Sequence, residues 1–144
     1  EVTMSFVSQN SAQAYARVGV ETGVVAANPH QLILMLFDGA LLAIAKADAS
    51  LKQGAVIEKS QAISRATDII SSGLRASLDF SGGDDLAARL AGLYDYMVLR
   101  LIHANVKNDL GALREVSGLL AEIRGAWEEI ADDPAVASAT KAGA

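Results

Sequence analysis

The chain has no cysteine, only two prolines and few aromatic residues, and these scarcities remove whole classes of function. Without cysteine, its 144 residues cannot form disulfides, thiolate zinc sites or cysteine nucleophiles. A reducing compartment, the cytoplasm, is therefore the expected location. The twelve lysines and arginines form no run, and the net charge is −5 at pH 7. Because a phosphate backbone needs a basic patch, we expect no nucleic-acid partner.

Long hydrophobic runs are also missing. The longest apolar window, residues 32–47, is interrupted by Asp38 and Lys46 and falls short of the roughly 20 residues that a spanning helix needs. We therefore expect no transmembrane segment. Hydrophobic residues still make up 51% of the chain, which is ample for the core of one domain.

A strong helix start follows the N-terminal region. Asn28 is a favourable cap, Pro29 suits the first helical position, and Gln31 lies where a capping box places its side chain. Six apolar residues, 32–37, then follow without a break, whereas a helix packed on one side needs only three or four per two turns. This helix carries more apolar side chains than a single core-facing stripe of residues, or seam, can bury.

Apolar residues recur at spacings of three and four through the middle of the chain, which predicts helices rather than strands. The first helix follows Asn28 and stops at Gly54, and the second runs from Val56 to Asp79. The third follows Asp84 and Asp85, and the fourth extends from Asp109 to Ile130. Since short connections make consecutive helices antiparallel, we predict an all-α, up-down-up-down four-helix bundle. The predicted core-facing residues are Ile33, Phe37, Ala40, Ile44, Ala47 and Leu51 in the first helix, Leu86, Leu90, Leu93, Met97, Leu101 and Ala104 in the third, and Leu113, Val116, Leu120, Ile123, Trp127 and Ile130 in the fourth.

The predicted division of the chain places the bundle at residues 28–131. Residues 1–27 form a flexible N-terminal arm that contains apolar side chains, and residues 132–144 form a flexible C-terminal tail. Apolar side chains of the arm, such as Tyr15, are suited to anchoring it in an apolar groove.

Some apolar residues of the first helix do not face the predicted core. Leu34, Met35 and Leu42 point away from its seam. Since large exposed apolar side chains forgo about 1.5 to 3 kcal/mol of burial each, such a set usually marks a partner site. Cover by the N-terminal arm and a homodimer are the alternatives.

No constellation in the sequence predicts catalysis. A di-metal carboxylate bundle needs Glu-x-x-His pairs, but Ala27 and Arg100 stand three residues before His30 and His103. The serines have no histidine suitably placed on the same helix, and Gly82 and Gly83 lack the lysine of a phosphate loop. We expect no metal, no cofactor and no enzymatic activity.

Several ordered blocks together resemble one family. The similarity runs from about Ala14 to Ile130 and reaches every predicted helix, so it is more specific than any single motif. The blocks are Asn28 to Gly39, then Ser77, Leu78, Asp79, Gly82 and Gly83, then Leu90, Leu93, Tyr94, Asp95, Tyr96 and Met97, and finally Glu115, Val116, Leu119, Leu120, Ala126 and Trp127. On these residues the chain resembles the FliS family of flagellin-specific export chaperones.

The resemblance implies an antiparallel four-helix bundle and a partner. Members of this family bind the C-terminal segment of newly made flagellin in the cytoplasm, prevent premature polymerisation and help deliver it to the flagellar type III export gate. The flagellin segment, disordered when free, wraps around the bundle, partly as helix. In the arm, Tyr15 with Val18 is the implied contact with the export gate, and Tyr15 also occupies part of the groove.

The resemblance also suggests which residues line the flagellin groove, although heptad position alone cannot separate a groove residue from a core residue. The main alternative is a self-associating helical adaptor, or homodimer, with no flagellin-specific role. The expected flagellin-binding residues are Leu32, Leu36, Phe37, Leu90, Tyr94, Met97, Leu101, Asn105 and Asp109.

Overall fold

The structure, a computed structural model, describes residues 28–83 and 85–130. Within them, α1 spans Pro29–Lys52, α2 spans Val56–Asp68, α3 spans Leu86–Lys107 and α4 spans Leu110–Glu129, and no strand is formed. Each helix packs against its neighbours in sequence, and α1 also packs against α4. The predicted antiparallel four-helix bundle is confirmed. The arm at residues 1–27 and the tail at 132–144 lie outside the described residues.

The start of α1 follows the predicted cap. The side chain of Asn28 accepts a hydrogen bond from the backbone N–H of Gln31 at 2.8 Å, and the Gln31 side chain accepts one from the N–H of Asn28 at 3.2 Å. Pro29 occupies the first turn, where its missing N–H is not needed. Past the end of α1, Gly54 adopts a positive φ of 72°, which suits a residue without a side chain.

The prediction of one regular second helix to Asp79 is wrong. The α-helix ends at Asp68, a π-helical segment follows at Ile69–Leu74, and a 3₁₀ turn covers Arg75–Ser77. Close packing against α1 accounts for the change, since a Cβ on Gly73 would lie 3.1 Å from a methyl of Leu36. The Ser77 hydroxyl also donates a hydrogen bond to the carbonyl of Gly73 at 2.6 Å. A second 3₁₀ turn, Phe80–Gly82, leads towards α3.

The core lies along the predicted seams, with several exceptions. Ile33, Leu51, Leu90, Leu93, Ile123 and Trp127 are only half-buried. Leu86 and Ile130 were predicted to face the core but are exposed, because Leu86 is the first residue of α3 and Ile130 follows the last residue of α4. The fully packed centre comprises Phe37, Ala40, Ile44 and Ala47 of α1, Met97, Leu101 and Ala104 of α3, and Leu113, Val116 and Leu120 of α4.

Candidate binding surface

Five of the nine expected flagellin-binding residues lie in the core of the bundle. Each is 3% exposed or less, because it packs on the axis where the four helices meet, so none reaches the surface of this conformation. Their contact with a ligand is untested and stays a prediction. The five are Leu36, Phe37, Tyr94, Met97 and Leu101.

The other four expected residues are accessible, but two of them already have partners within the bundle. Leu32 and Leu90 are half-buried. The side-chain oxygen of Asn105 accepts a hydrogen bond from the Ser60 hydroxyl at 3.1 Å. The Asp109 carboxylate accepts from the N–H of Ala112 at 3.2 Å and therefore caps α4. The structure thus gives both polar residues a role within the bundle itself.

Three residues of α1 are predicted to point away from the core of the bundle, and they differ in exposure. Leu42 is 71% exposed, which confirms its outward direction. Leu34 and Met35 are half-buried. Tyr15 and Val18 lie outside the described residues.

The two tyrosines of α3 are two residues apart, which places them on different faces of the helix, and they meet different surroundings. Tyr94 is buried, and burial raises its pKa well above the usual range. Tyr96 is exposed and donates a hydrogen bond to the carboxylate of Glu115 on α4, which raises the pKa of its phenol. Arg100 donates to the same carboxylate at 2.8 Å. These contacts connect the outer edges of α3 and α4.

Neither histidine belongs to a group of side chains that could hold a metal ion in the part of the chain that the structure describes. His30 stacks on Trp127 with the ring centroids 4.9 Å apart, and its Nε2 lies 2.8 Å from the Trp127 carbonyl. The indole N–H of Trp127 in turn donates to the His30 carbonyl at 3.2 Å. His103 pairs with Asp109, whose carboxylate already caps α4. Both histidines therefore join helices to one another.

The surface residues that the sequence interpretation missed lie on the outer face of α3. Leu99, Ile102 and Val106 are 66%, 50% and 72% exposed, and they are adjacent on the helix surface, which makes them a patch rather than single exposed side chains. Their spacing of three and four residues is the signal that identifies them, but the sequence interpretation gives α3 a single seam.

A shallow polar depression lies on α2, the helix beside them. Its volume is about 420 Å³, and it is lined by Ser60, Gln61, Ser64, Arg65 and Asp68.

None of the described helices combines the length and the apolar composition that a membrane-spanning segment needs.

The fold and this surface define a small antiparallel helical bundle whose exposed apolar side chains lie on its outer faces. The sequence model of one protein family, described as flagellar protein FliS, matches residues 11–134. The chain belongs to the FliS family. The resemblance drawn from the ordered blocks of the sequence is thereby confirmed.

Curated relatives match most of the chain. A protein of Salmonella typhimurium strain LT2, named flagellar secretion chaperone FliS, is 51% identical over 118 residues, which are 82% of this chain and 87% of the relative. The Escherichia coli strain K12 protein of the same name is 44% identical, covering 81% of this chain and 86% of its own length. Flagellar secretion chaperone FliSB of Pseudomonas aeruginosa is 42% identical, covering 81% and 91%.

Proposed function

We propose that this protein is a cytoplasmic chaperone of flagellar secretion that binds the C-terminal segment of flagellin. In this role it prevents premature polymerisation and helps deliver flagellin to the flagellar type III export gate. Membership of the FliS family and the names of its relatives support the proposal. The structural observation that carries it is the set of large apolar side chains exposed on the outside of the bundle.

The physical chemistry of the surface suits a segment that folds as it binds. A disordered segment that orders on its partner typically buries about 1,000 to 3,000 Å² and loses several kcal/mol of interaction energy to ordering. Burial of large apolar side chains offsets this loss. Such side chains are exposed on α1, α2 and α3 at Leu42, Ile57 and Leu99. A segment that wraps the bundle reaches several of these positions at once.

Holding an unfolded segment requires no bond to be made or broken. We therefore propose that the protein is not an enzyme and needs no cofactor. The described surface supports this role, because both histidines and several charged side chains contact a neighbouring helix. The contact of Tyr15 and Val18 with the export gate belongs to the same proposal and concerns residues outside the described part.

The proposal is tested by mixing the protein with full-length flagellin and with flagellin that lacks its C-terminal segment, followed by size-exclusion chromatography. We expect co-elution with the full-length protein and separate elution from the truncated one. Equal binding to the two flagellins would contradict the proposal. A truncation that removes a surface loop of flagellin and leaves both ends intact is the matched control, and it should bind like the full-length protein.

A further inference from the structure

The last turn of α4 lacks the charge pattern that stabilises the ends of the other helices. The C-terminal end of a helix carries a partial negative charge, so a basic side chain in the last turn is favourable. The other three helices each have one there, and these are Lys52, Arg65 and Lys107. The last turn of α4 has no basic residue and carries Glu128 and Glu129 instead. The charges at this end therefore oppose the dipole of their own helix.

Gly125 weakens the same end of α4. Glycine within a helix is less favourable than alanine, because it loses more backbone freedom when it becomes ordered. No heavy atom lies within 4 Å of the position that a Cβ on Gly125 would take, so packing does not require a glycine there. The helix then ends at Ile130 with a φ of −98°, without the left-handed residue of a glycine cap. Residues 125–130, which we call the strap, therefore have little helix stability of their own.

Three contacts with the first turn of α1, which we call the clasp, hold the strap against the bundle. The ring of His30 lies parallel to the indole of Trp127, with an interplanar angle of 6°. Because a carbonyl oxygen only accepts, Nε2 of His30 donates to the Trp127 carbonyl, one of those that the end of a helix leaves without an intrahelical partner. The indole N–H of Trp127 donates in return to the His30 carbonyl.

The clasp carries most of the attachment of the strap. The ion pair between Glu128 and Arg124, at 3.4 Å, stays within α4. Among the described residues, no other side-chain hydrogen bond or ion pair connects the strap to another helix. Four of the six strap residues are exposed, whereas Val116 and Leu120 in the centre of α4 are fully buried. The strap therefore has the low contact density that is typical of segments that open locally.

We propose that the strap opens and closes as a local unit while the rest of the bundle stays folded, and that the clasp sets the fraction of molecules in which it is closed. Opening separates the two stacked rings. It also uncovers apolar surface beside Ile33 and Ile123, which lie one turn further into the bundle and are half-buried. This end of the bundle thus alternates between two states that differ in apolar exposure.

Native-state hydrogen exchange of the intact protein, followed by NMR at urea concentrations below the unfolding transition, tests for independent opening. The strap amides should exchange with little dependence on urea, because local opening exposes little surface. The amides of Val116 and Leu120 should exchange through global unfolding, with a strong dependence. Equal urea dependence in the two regions would overturn the proposal, since the strap would then open only with the whole bundle.

Two glycine variants of α4 separate the strap from the rest of the helix. Gly125→Ala should slow strap exchange about two- to fivefold, because alanine stabilises the closed helix. Gly118→Ala, one heptad earlier, also meets nothing within 4 Å. It stabilises the closed and the open state alike, so it is the matched control and should leave strap exchange unchanged. Equal slowing by both variants, or by neither, would contradict local opening.

His30→Ala tests the clasp itself. We expect strap exchange to become about tenfold faster, because a hydrogen bond and a stacked ring are lost together. Trp127 is the only tryptophan of the chain, so acrylamide quenching of its fluorescence reports the same opening. Quenching should increase in His30→Ala and decrease in Gly125→Ala. Quenching that His30→Ala leaves unchanged, or that rises only together with a loss of helical circular dichroism, would overturn the role of the clasp.

Discussion

Lys59 holds its ammonium group at the C-terminal end of α3 although the residue lies on α2 and is only 4% exposed. The ammonium donates to the carbonyl of Asn105 at 2.9 Å and to the side-chain oxygen of Asn108 at 2.6 Å. No described carboxylate lies within 4.0 Å of it. Since the C-terminal end of a helix carries a partial negative charge, α3 itself compensates this buried cation. The turn between α3 and α4 is thereby fixed to α2.

Asn108 gives a residue-scale test of this cluster. Its φ of 52° lies in the left-handed region, and its side chain accepts from Lys59. Asn108→Ala should lower the free energy of unfolding by about 1 to 2 kcal/mol, because alanine loses the hydrogen bond and fits the backbone less well. Asn108→Gly loses the same bond but tolerates the backbone, so it should cost less. Urea unfolding followed by circular dichroism checks both, and equal loss in the two variants would contradict the assigned backbone effect.

At the residue scale, the sequence separates polar caps from apolar seams better than it separates core from surface. The capping pair of Asn28 and Gln31 is local, so adjacent residues suffice to predict it. Whether Leu36 or Leu99 is buried depends on where neighbouring helices lie, and both obey helical spacing. The expected site residues Phe37 and Met97 therefore could not be distinguished from core residues before the helices were placed.

Helix α2 shows what decides structure at the scale of an element. Its first part is a regular helix, and the chain then widens into the π-helical segment where Gly73 approaches Leu36 of α1. Gly39 of α1 approaches Ile69 in the same way, since a Cβ on Gly39 would lie 3.3 Å from the Ile69 methyl. The start of α1 at its cap and its stop before Gly54 were predictable, because caps and glycine turns are local signals. The change of helix type arises from contact between two helices and has no comparable local signal.

A pair of glycine substitutions tests this packing. Gly73→Ala places a methyl about 3.1 Å from buried Leu36, so the cost of overpacking should exceed the helix propensity gained, with a net loss of about 1 kcal/mol. Gly118→Ala on the exposed face of α4 meets nothing within 4 Å and should stabilise by about 0.5 to 1 kcal/mol. Thermal and urea unfolding measure both changes. Stabilisation by Gly73→Ala equal to that of the control would show that the contact is not tight.

At the scale of the whole molecule, charged pairs on the surface join α4 to both of its neighbours. Arg124 donates to Asp38 of α1 at 2.6 Å, and Arg114 donates to Asp48 of the same helix at 3.2 Å. On the other side, Arg100 of α3 donates to Glu115 of α4. Each exposed pair contributes little by itself, so the apolar core supplies most of the stability. These pairs instead place polar contacts along two of the four boundaries between adjacent helices, the one between α1 and α4 and the one between α3 and α4.

The charged edges predict how stability depends on pH. Hydrogen bonds from the Lys52 ammonium, the Ala112 N–H and the Tyr96 hydroxyl are the largest causes that lower the pKa values of Asp48, Asp109 and Glu115 respectively. A carboxyl whose pKa is lower in the folded state stabilises the fold above its unfolded pKa, near about 4, and this stability is lost as the pH falls through the folded pKa.

We therefore expect the urea midpoint to be nearly constant between about pH 7 and pH 5 and to fall below about pH 4. Glu115→Gln should reduce this acid dependence, because it removes one of the titrating groups, and Glu122→Gln on the exposed face of α4 is the matched control. A midpoint that stays constant down to about pH 3 would contradict the assigned role of the carboxylates.

The most direct test of the central claim is a calorimetric titration of the intact protein with the isolated C-terminal segment of flagellin at several temperatures. We expect saturable binding with one segment per protein molecule and a negative heat-capacity change, because apolar surface leaves water when the segment covers the outer faces of the bundle. Absence of saturable binding, or binding with no change in heat capacity, would contradict it.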